Sequence, residues 1–242
     1  MIFQNFGFNR QIVTAAAAGP TFNYVAGAYA IYDFGNTSSY GGSGATVYDV
    51  SGNSRDATLQ NSPTWSSANS GSMEFTKASS QYMTYTGVIG ASVTTMAFVK
   101  SKDTPNFSSY SSFPFFRGTN GLIFSLLINE NVNLPFIWNG ATGPTAINAI
   151  AWTGISVGVY NAYAFSLSNS TQKNYLNGSV LTSTNTYSRS DSASGTIGVA
   201  NSDFASGTSN YLNGYMLGYL HYNFQLTDAE VAQNVAVFSS RY

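Results

Sequence analysis

Short runs of alternating apolar and polar residues recur along this chain. Tyr82–Tyr85, Thr95–Val99, Leu122–Ile128 and Tyr163–Leu167 are examples, and Lys173–Tyr175, Thr196–Val199 and Tyr215–Tyr222 continue the series. Alternation sends successive side chains to opposite faces of an extended strand. The runs are rich in Tyr, Phe, Val, Ile and Thr, which fit a pleated, half-buried surface. Gly, Ser, Asn and Thr turns separate them. Many short strands divided by turn signals predict a sandwich or barrel. No internal repeat is present in the sequence, which argues against a propeller or solenoid.

One segment follows a different period. Thr227, with Glu230 three residues later, forms the signature of a capping box. Asp228 and Glu230 complement the positive end of a helix dipole, and Val231, Val235 and Phe238 recur at helical spacing. The pattern predicts a helix from Asp228 to about Ser239, packed as a lid on the sandwich. The densest strand pattern lies in residues 48–86. An Asp-x-Ser-Gly-Asn turn at Asp49–Asn53 leads into a polar segment and Ser62-Pro63-Thr64-Trp65. Gly71-Ser72 opens an alternating strand from Met73 to Phe75. A polar turn, Lys77–Gln81, precedes the run at Tyr82. Further on, Asn177-Gly178 is the preferred pair for a type I′ hairpin turn, where both residues need positive φ.

The order of these motifs resembles laminin-G-like, concanavalin-A-like jelly-roll domains. Asn174-Tyr175-Leu176-Asn177-Gly178 is similar to that family's hairpin, and Gly195-Thr196-Ile197-Gly198 to a later strand. Gly214-Tyr215-Met216-Leu217-Gly218-Tyr219-Leu220 is similar to a further strand. Tyr222-Asn223 and Leu226-Thr227-Asp228-Ala229-Glu230-Val231 are similar to the family's ending, with Phe224-Gln225 where an Arg-x pair is usual. The resemblance runs from about residue 28 to the end. It implies an all-β, antiparallel jelly-roll β-sandwich with a short C-terminal helix over residues 23–242, preceded by an arm at residues 1–22. It also implies a binding role, often toward glycans.

Composition adds an unusual surface. Charged residues make up 8% of the chain, against roughly 25% in ordinary globular proteins. Between Asn131 and Gln172 there is no Asp, Glu, Lys, Arg or His. Such a surface suits a protein fixed in a larger assembly, or an extracellular adhesin. The net charge is −1 and the basic residues are scattered, which argues against nucleic-acid binding. Without cysteine, the chain has no disulfides and no thiolate metal site. No basic n-region precedes the Ala15–Ala18 run, so we read no signal peptide. Pro20, Thr21 and Asn23 make residues 11–32 too polar and broken for a membrane span.

Candidate chemistry is sparse. Glycosidases of the resembled fold carry a Glu-x-Asp-x-x-Glu strand, a context that Glu74, Glu130 and Glu230 all lack. Glu74 reads as an outward strand residue, Glu230 as part of the capping box and Glu130 as a turn residue. His221 reads as structural, since no nucleophile lies at motif spacing. Asp49, Ser51, Asn53 and Asp56 place oxygens at positions 1, 3, 5 and 8 of a loop, a donor set calcium accepts. The loop lacks an EF-hand's later Gly and Glu, and Asx turns explain Asp49 and Asn53 as well. For a sugar, Trp138, Asn139 and Tyr110 combine aromatic faces with polar handles; core packing is the competing reading of the tryptophans.

The expectation is a non-enzymatic virion structural protein, a capsid- or tail-attached decoration or adhesion module that binds host-surface glycans. Its partners would be other virion proteins, met through residues 1–20 in a multi-copy assembly or homo-oligomer. The alternative is a secreted bacterial carbohydrate-binding lectin or adhesin.

Overall fold

The computed structural model describes residues 22–68, 71–102, 111–118, 123–128, 135–138, 144–146, 158–168, 171–181, 193–200 and 211–241, with backbone alone for the strands between 111 and 146. The strands are β1 (Ala30–Asp33), β2 (Thr46–Val47), β3 (Ala57–Gln60), β4 (Thr64–Ser66), β5 (Ser72–Phe75), β6 (Tyr82–Ile89), β7 (Val93–Ser101) and β8 (Ser111–Gly118). They continue as β9 (Ile123–Ile128), β10 (Pro135–Trp138), β11 (Pro144–Ala146), β12 (Tyr160–Leu167), β13 (Gln172–Leu176), β14 (Ser179–Leu181), β15 (Ala193–Val199) and β16 (Gly214–Tyr222), followed by helix α1 (Asp228–Ser239).

Two eight-stranded sheets result. One runs β14-β13-β12-β7-β16-β5-β4, with β1 and β5 end to end along one side of β16. The facing sheet runs β11-β10-β9-β8-β15-β6-β3-β2. The pairings are antiparallel, as a jelly-roll sandwich requires. Tyr32, Phe75, Val99, Phe165 and Tyr219 of the first sheet meet Val47, Leu59, Met83, Ile89 and Ile197 of the second in one core. The expected Asn177-Gly178 turn joins β13 to β14, with φ of 52° and 83°.

The central strands β7 and β12 of the first sheet are not half-buried, as alternation suggested. β12 is buried at every position, and β7 from Val93 to Val99. The reason is a third layer: helix α1 and the segment 22–29 cover this sheet's outer face. Val25, Ile31, Met96, Phe98, Leu220, Val231 and Phe238 form that second core. The Phe98 and Phe238 rings stack at a centroid distance of 3.8 Å, and each such buried ring contributes about 1.5–3 kcal/mol.

The helix starts where the sequence predicts. Thr227 Oγ1 accepts from Glu230 N at 3.3 Å, and Glu230 Oε2 accepts from Thr227 N at 2.7 Å. Asn234 is buried on the apolar face because it ties the layers together: its Oδ1 accepts from Val25 N at 3.0 Å and its Nδ2 donates to the Tyr222 hydroxyl at 3.1 Å.

Candidate functional site

The Asp49–Asp56 loop is built on hydrogen bonds. Asp49 Oδ1 accepts from Ile31 N and Ser51 N, both at 2.9 Å, which fastens the loop to β1 and closes an Asx turn. Its Oδ2 accepts from Ser51 Oγ at 2.8 Å and Arg55 N at 3.1 Å. Asp56 Oδ1 accepts from Asp49 N at 3.0 Å, while Asn53 Nδ2 donates to Ala28 O at 2.9 Å. The Arg55 guanidinium lies 3.7 Å from the Tyr29 ring centroid and donates to Tyr29 O at 3.2 Å. The Asp49 carboxylate is thus taken up by protein donors, with a cation already beside the loop. Among the described residues no three His, Cys, Asp or Glu side chains cluster for a metal. Of the proposed sugar contacts, Tyr110 and Asn139 lie outside the described residues; Trp138 closes β10, with only its backbone described.

A different site emerges where the two sheets end. β4 is the last strand of the helix-backed sheet, and β2 is the last strand of the facing one. The chain crosses between sheets from β3 to β4 through Asn61-Ser62-Pro63. This crossing and the loop at residues 42–45 enclose a groove of about 510 Å³, walled by Trp65 and Tyr40. That size falls in the usual range for small-molecule sites. Trp65 is anchored, its Nε1 donating to Phe34 O at 2.9 Å. Gly42, at φ +89°, lets the loop lie on the indole: a Cβ there would sit 3.2 Å from Trp65 Cζ3. Tyr40 donates to Gly44 O at 2.8 Å, and burial pushes its hydroxyl pKa up.

The crossing is strained and held. Asn61 and Ser62 adopt φ of 59° and 53°, and Ser80 beside them 51°. Left-handed backbone costs non-glycine residues about 1 kcal/mol or more each, and it persists where the surroundings impose it. Gln81 does this from a buried position: its Nε2 donates to Asn61 O at 3.1 Å and Ser62 O at 2.9 Å, and its Oε1 accepts from Thr76 N at 2.7 Å. Asn61 Nδ2 donates to Ser80 O at 2.6 Å. Gln81→Leu removes the side-chain partners of three part-buried backbone groups; a stability loss of about 1 kcal/mol is expected in urea denaturation. An unchanged midpoint would show that the turn holds itself.

The groove could not be read from the sequence, because it joins residues about twenty positions apart at two sheet edges. Trp65 was noted only as a core candidate, and it is half-buried at the core's margin.

The carboxylates of the described residues are engaged elsewhere. Asp33 pairs with Arg241, Glu74 with Lys102 and Asp228 with Lys173. Asp49 and Asp56 build the turn and Glu230 caps the helix. His221 is buried between Tyr85 and Asn223, and burial lowers its pKa to about 3. Glu130 lies outside the described residues.

A family model described as the Concanavalin A-like lectin/glucanases superfamily matches residues 75–232, more than half of the chain. The chain belongs to this superfamily. No curated protein matches it. Among solved structures, the superfamily fold is shared with domain 4 of AbnA, a GH43 extracellular arabinanase from Geobacillus stearothermophilus, in complex with arabinotriose. The TM-score is 0.67 at 16% identity, over 87% of this chain and 98% of that one. The botulinum neurotoxin type G receptor binding domain gives 0.63 at 12% identity, over 88% of this chain and 51% of that one. Trypanosoma rangeli sialidase in complex with sialic acid gives 0.57 at 13% identity, over 89% and 33%. This chain thus spans about half of the neurotoxin domain and a third of the sialidase. At these identities the likeness is one of fold.

Proposed function

We propose that this chain is a non-enzymatic carbohydrate-binding module whose glycan sits in the groove at Trp65. The groove itself carries the reading. It offers an aromatic wall, exposed Ser43, Ser62 and Thr64, and a pre-set backbone turn, and among the described residues no carboxylate lines it to act as acid or nucleophile. Arabinotriose bound to domain 4 of AbnA supports the ligand class. A glycan array that includes arabino-oligosaccharides tests it, with Thr64→Trp as the blocking variant. Thr64 is exposed on an edge strand, so the variant keeps the fold. Binding should fall at least about tenfold when the groove is filled. Glycan binding untouched by the block, or sugar release by the purified chain, overturns the proposal.

The setting is a surface assembly: a virion capsid or tail, with residues 1–20 anchoring a multi-copy module, or else the surface of a bacterium. The 8% charge content supports it. A monomer that associates with neither particles nor cells would overturn this setting and leave the binding function standing.

A further inference from the structure

We infer that the groove selects an uncharged saccharide and discriminates against carboxylate- or sulfate-bearing ones, an inference that rests on the glycan reading above. Among the described residues, no Asp, Glu, Lys, Arg or His lines the groove. An anion entering it would lose hydration without meeting a cation, and buried charge needs a partner. The groups present suit hydroxyls instead. Ser43, Ser62 and Thr64 each offer a group that both donates and accepts. Asn61 gives its amide nitrogen to Ser80 O, which orients its side-chain carbonyl as an acceptor. Trp65 adds apolar aromatic carbon to the lining, for contact with the C–H groups of a sugar.

Arg55, Lys100, Lys102, Lys173 and Arg241 are committed elsewhere. Arg55 lies on Tyr29, Arg241 on Asp33 and Lys173 on Asp228. Register puts Glu74 opposite Thr64, but Lys102 pairs with it. Lys100 lies between the Tyr160 and Tyr215 rings, 5.6 and 5.7 Å from their centroids. Lys77, on the turn behind Asn61, is not among the lining residues.

The test is calorimetric titration of the full chain with matched pairs that differ in charge: methyl-esterified against free trigalacturonic acid, and lactose against sialyllactose. For a pair that binds, the neutral member should bind about tenfold tighter or more, the equivalent of one missing charge-assisted hydrogen bond. Ser43→Lys, in an exposed loop, should bring the acidic member to within about threefold, and Ala45→Lys gives a second placement of the cation. Equal or tighter binding of the acidic member to the wild-type chain, abolished by Thr64→Trp, overturns the selectivity but leaves the glycan function intact. A ratio unmoved by both lysines overturns the assignment to this groove. Absence of binding by every pair and every glycan on the array overturns the function and this inference with it.

Discussion

Arg241→Met is expected to destabilise the protein by about 3–5 kcal/mol, because it strands a buried carboxylate. Arg241 is the last residue described, yet its side chain is only 8% exposed and that of Asp33 is fully buried. Arg241 Nη1 donates to both Asp33 oxygens, at 2.6 and 2.8 Å. Tyr24 donates to Asp33 Oδ2, and Gly35 N donates to Oδ1 at 2.8 Å. The guanidinium also lies 4.7 Å from the centre of the Phe238 ring. This cluster joins the end of α1 to β1 and the strand entry at Tyr24. Burial first, and the Asp33 charge second, push the Tyr24 hydroxyl far above its ordinary pKa, so it stays a donor. Without Arg241, two neutral donors remain for one buried charge. Thermal unfolding should shift down by roughly 10 °C for a chain of this size. The double variant Asp33→Asn/Arg241→Met removes the charge as well and should recover most of the loss, since a buried pair adds little beyond its apolar replacement. If the single variant melts with the wild type, the cluster is not what holds the C-terminal segment.

That pair spans 208 positions, and the sequence carries no trace of it. Local signals were legible. Alternation found β6, β7 and β16 to within a few residues, the capping box fixed the start of α1, and Asn177-Gly178 fixed a hairpin. Each rests on physics confined to neighbouring residues. Burial on both faces of β12 was not legible, because it depends on a layer supplied by α1 and the segment 22–29. The groove failed for a similar reason: its walls come from the edges of two sheets, and only closure of the sandwich brings Gly42 onto Trp65. Sequence reasoning placed sugar contacts at Tyr110, Trp138 and Asn139, where aromatic faces lie beside polar groups on predicted loops; Tyr110 and Asn139 and the Trp138 side chain lie outside the described residues. At Asp49 the Asx turn was legible, since its donor Ser51 N lies two residues on, while the donor Ile31 N, 18 positions away, was not.

The second large effect is loss of stability in acid, centred on His221. The ring sits inside the sandwich, with Nδ1 2.8 Å from the Tyr85 hydroxyl and Nε2 3.0 Å from Asn223 Oδ1. Asn223 Oδ1 also accepts from Gly90 N at 2.9 Å, which fixes the amide orientation. Nε2 therefore carries the proton, and Nδ1 accepts from Tyr85. A second proton would cost that hydrogen bond and bury a charge near Arg55. Burial, the dominant cause, lowers the folded-state pKa to about 3, from an ordinary value of 6.5. Between these values the unfolded chain binds the proton and the folded chain does not. The stability is thus fully present above about pH 6.5 and is lost as pH falls toward 3, by up to about 1.4 kcal/mol per pH unit. Urea denaturation at pH 7, 5.5 and 4 should show this slope. Glutamine at position 221 can donate to Asn223 and accept from Tyr85 but cannot ionise. His221→Gln should therefore be less stable at pH 7 and have a slope shallower by about one proton. Parallel pH profiles for the two proteins would sink the assignment.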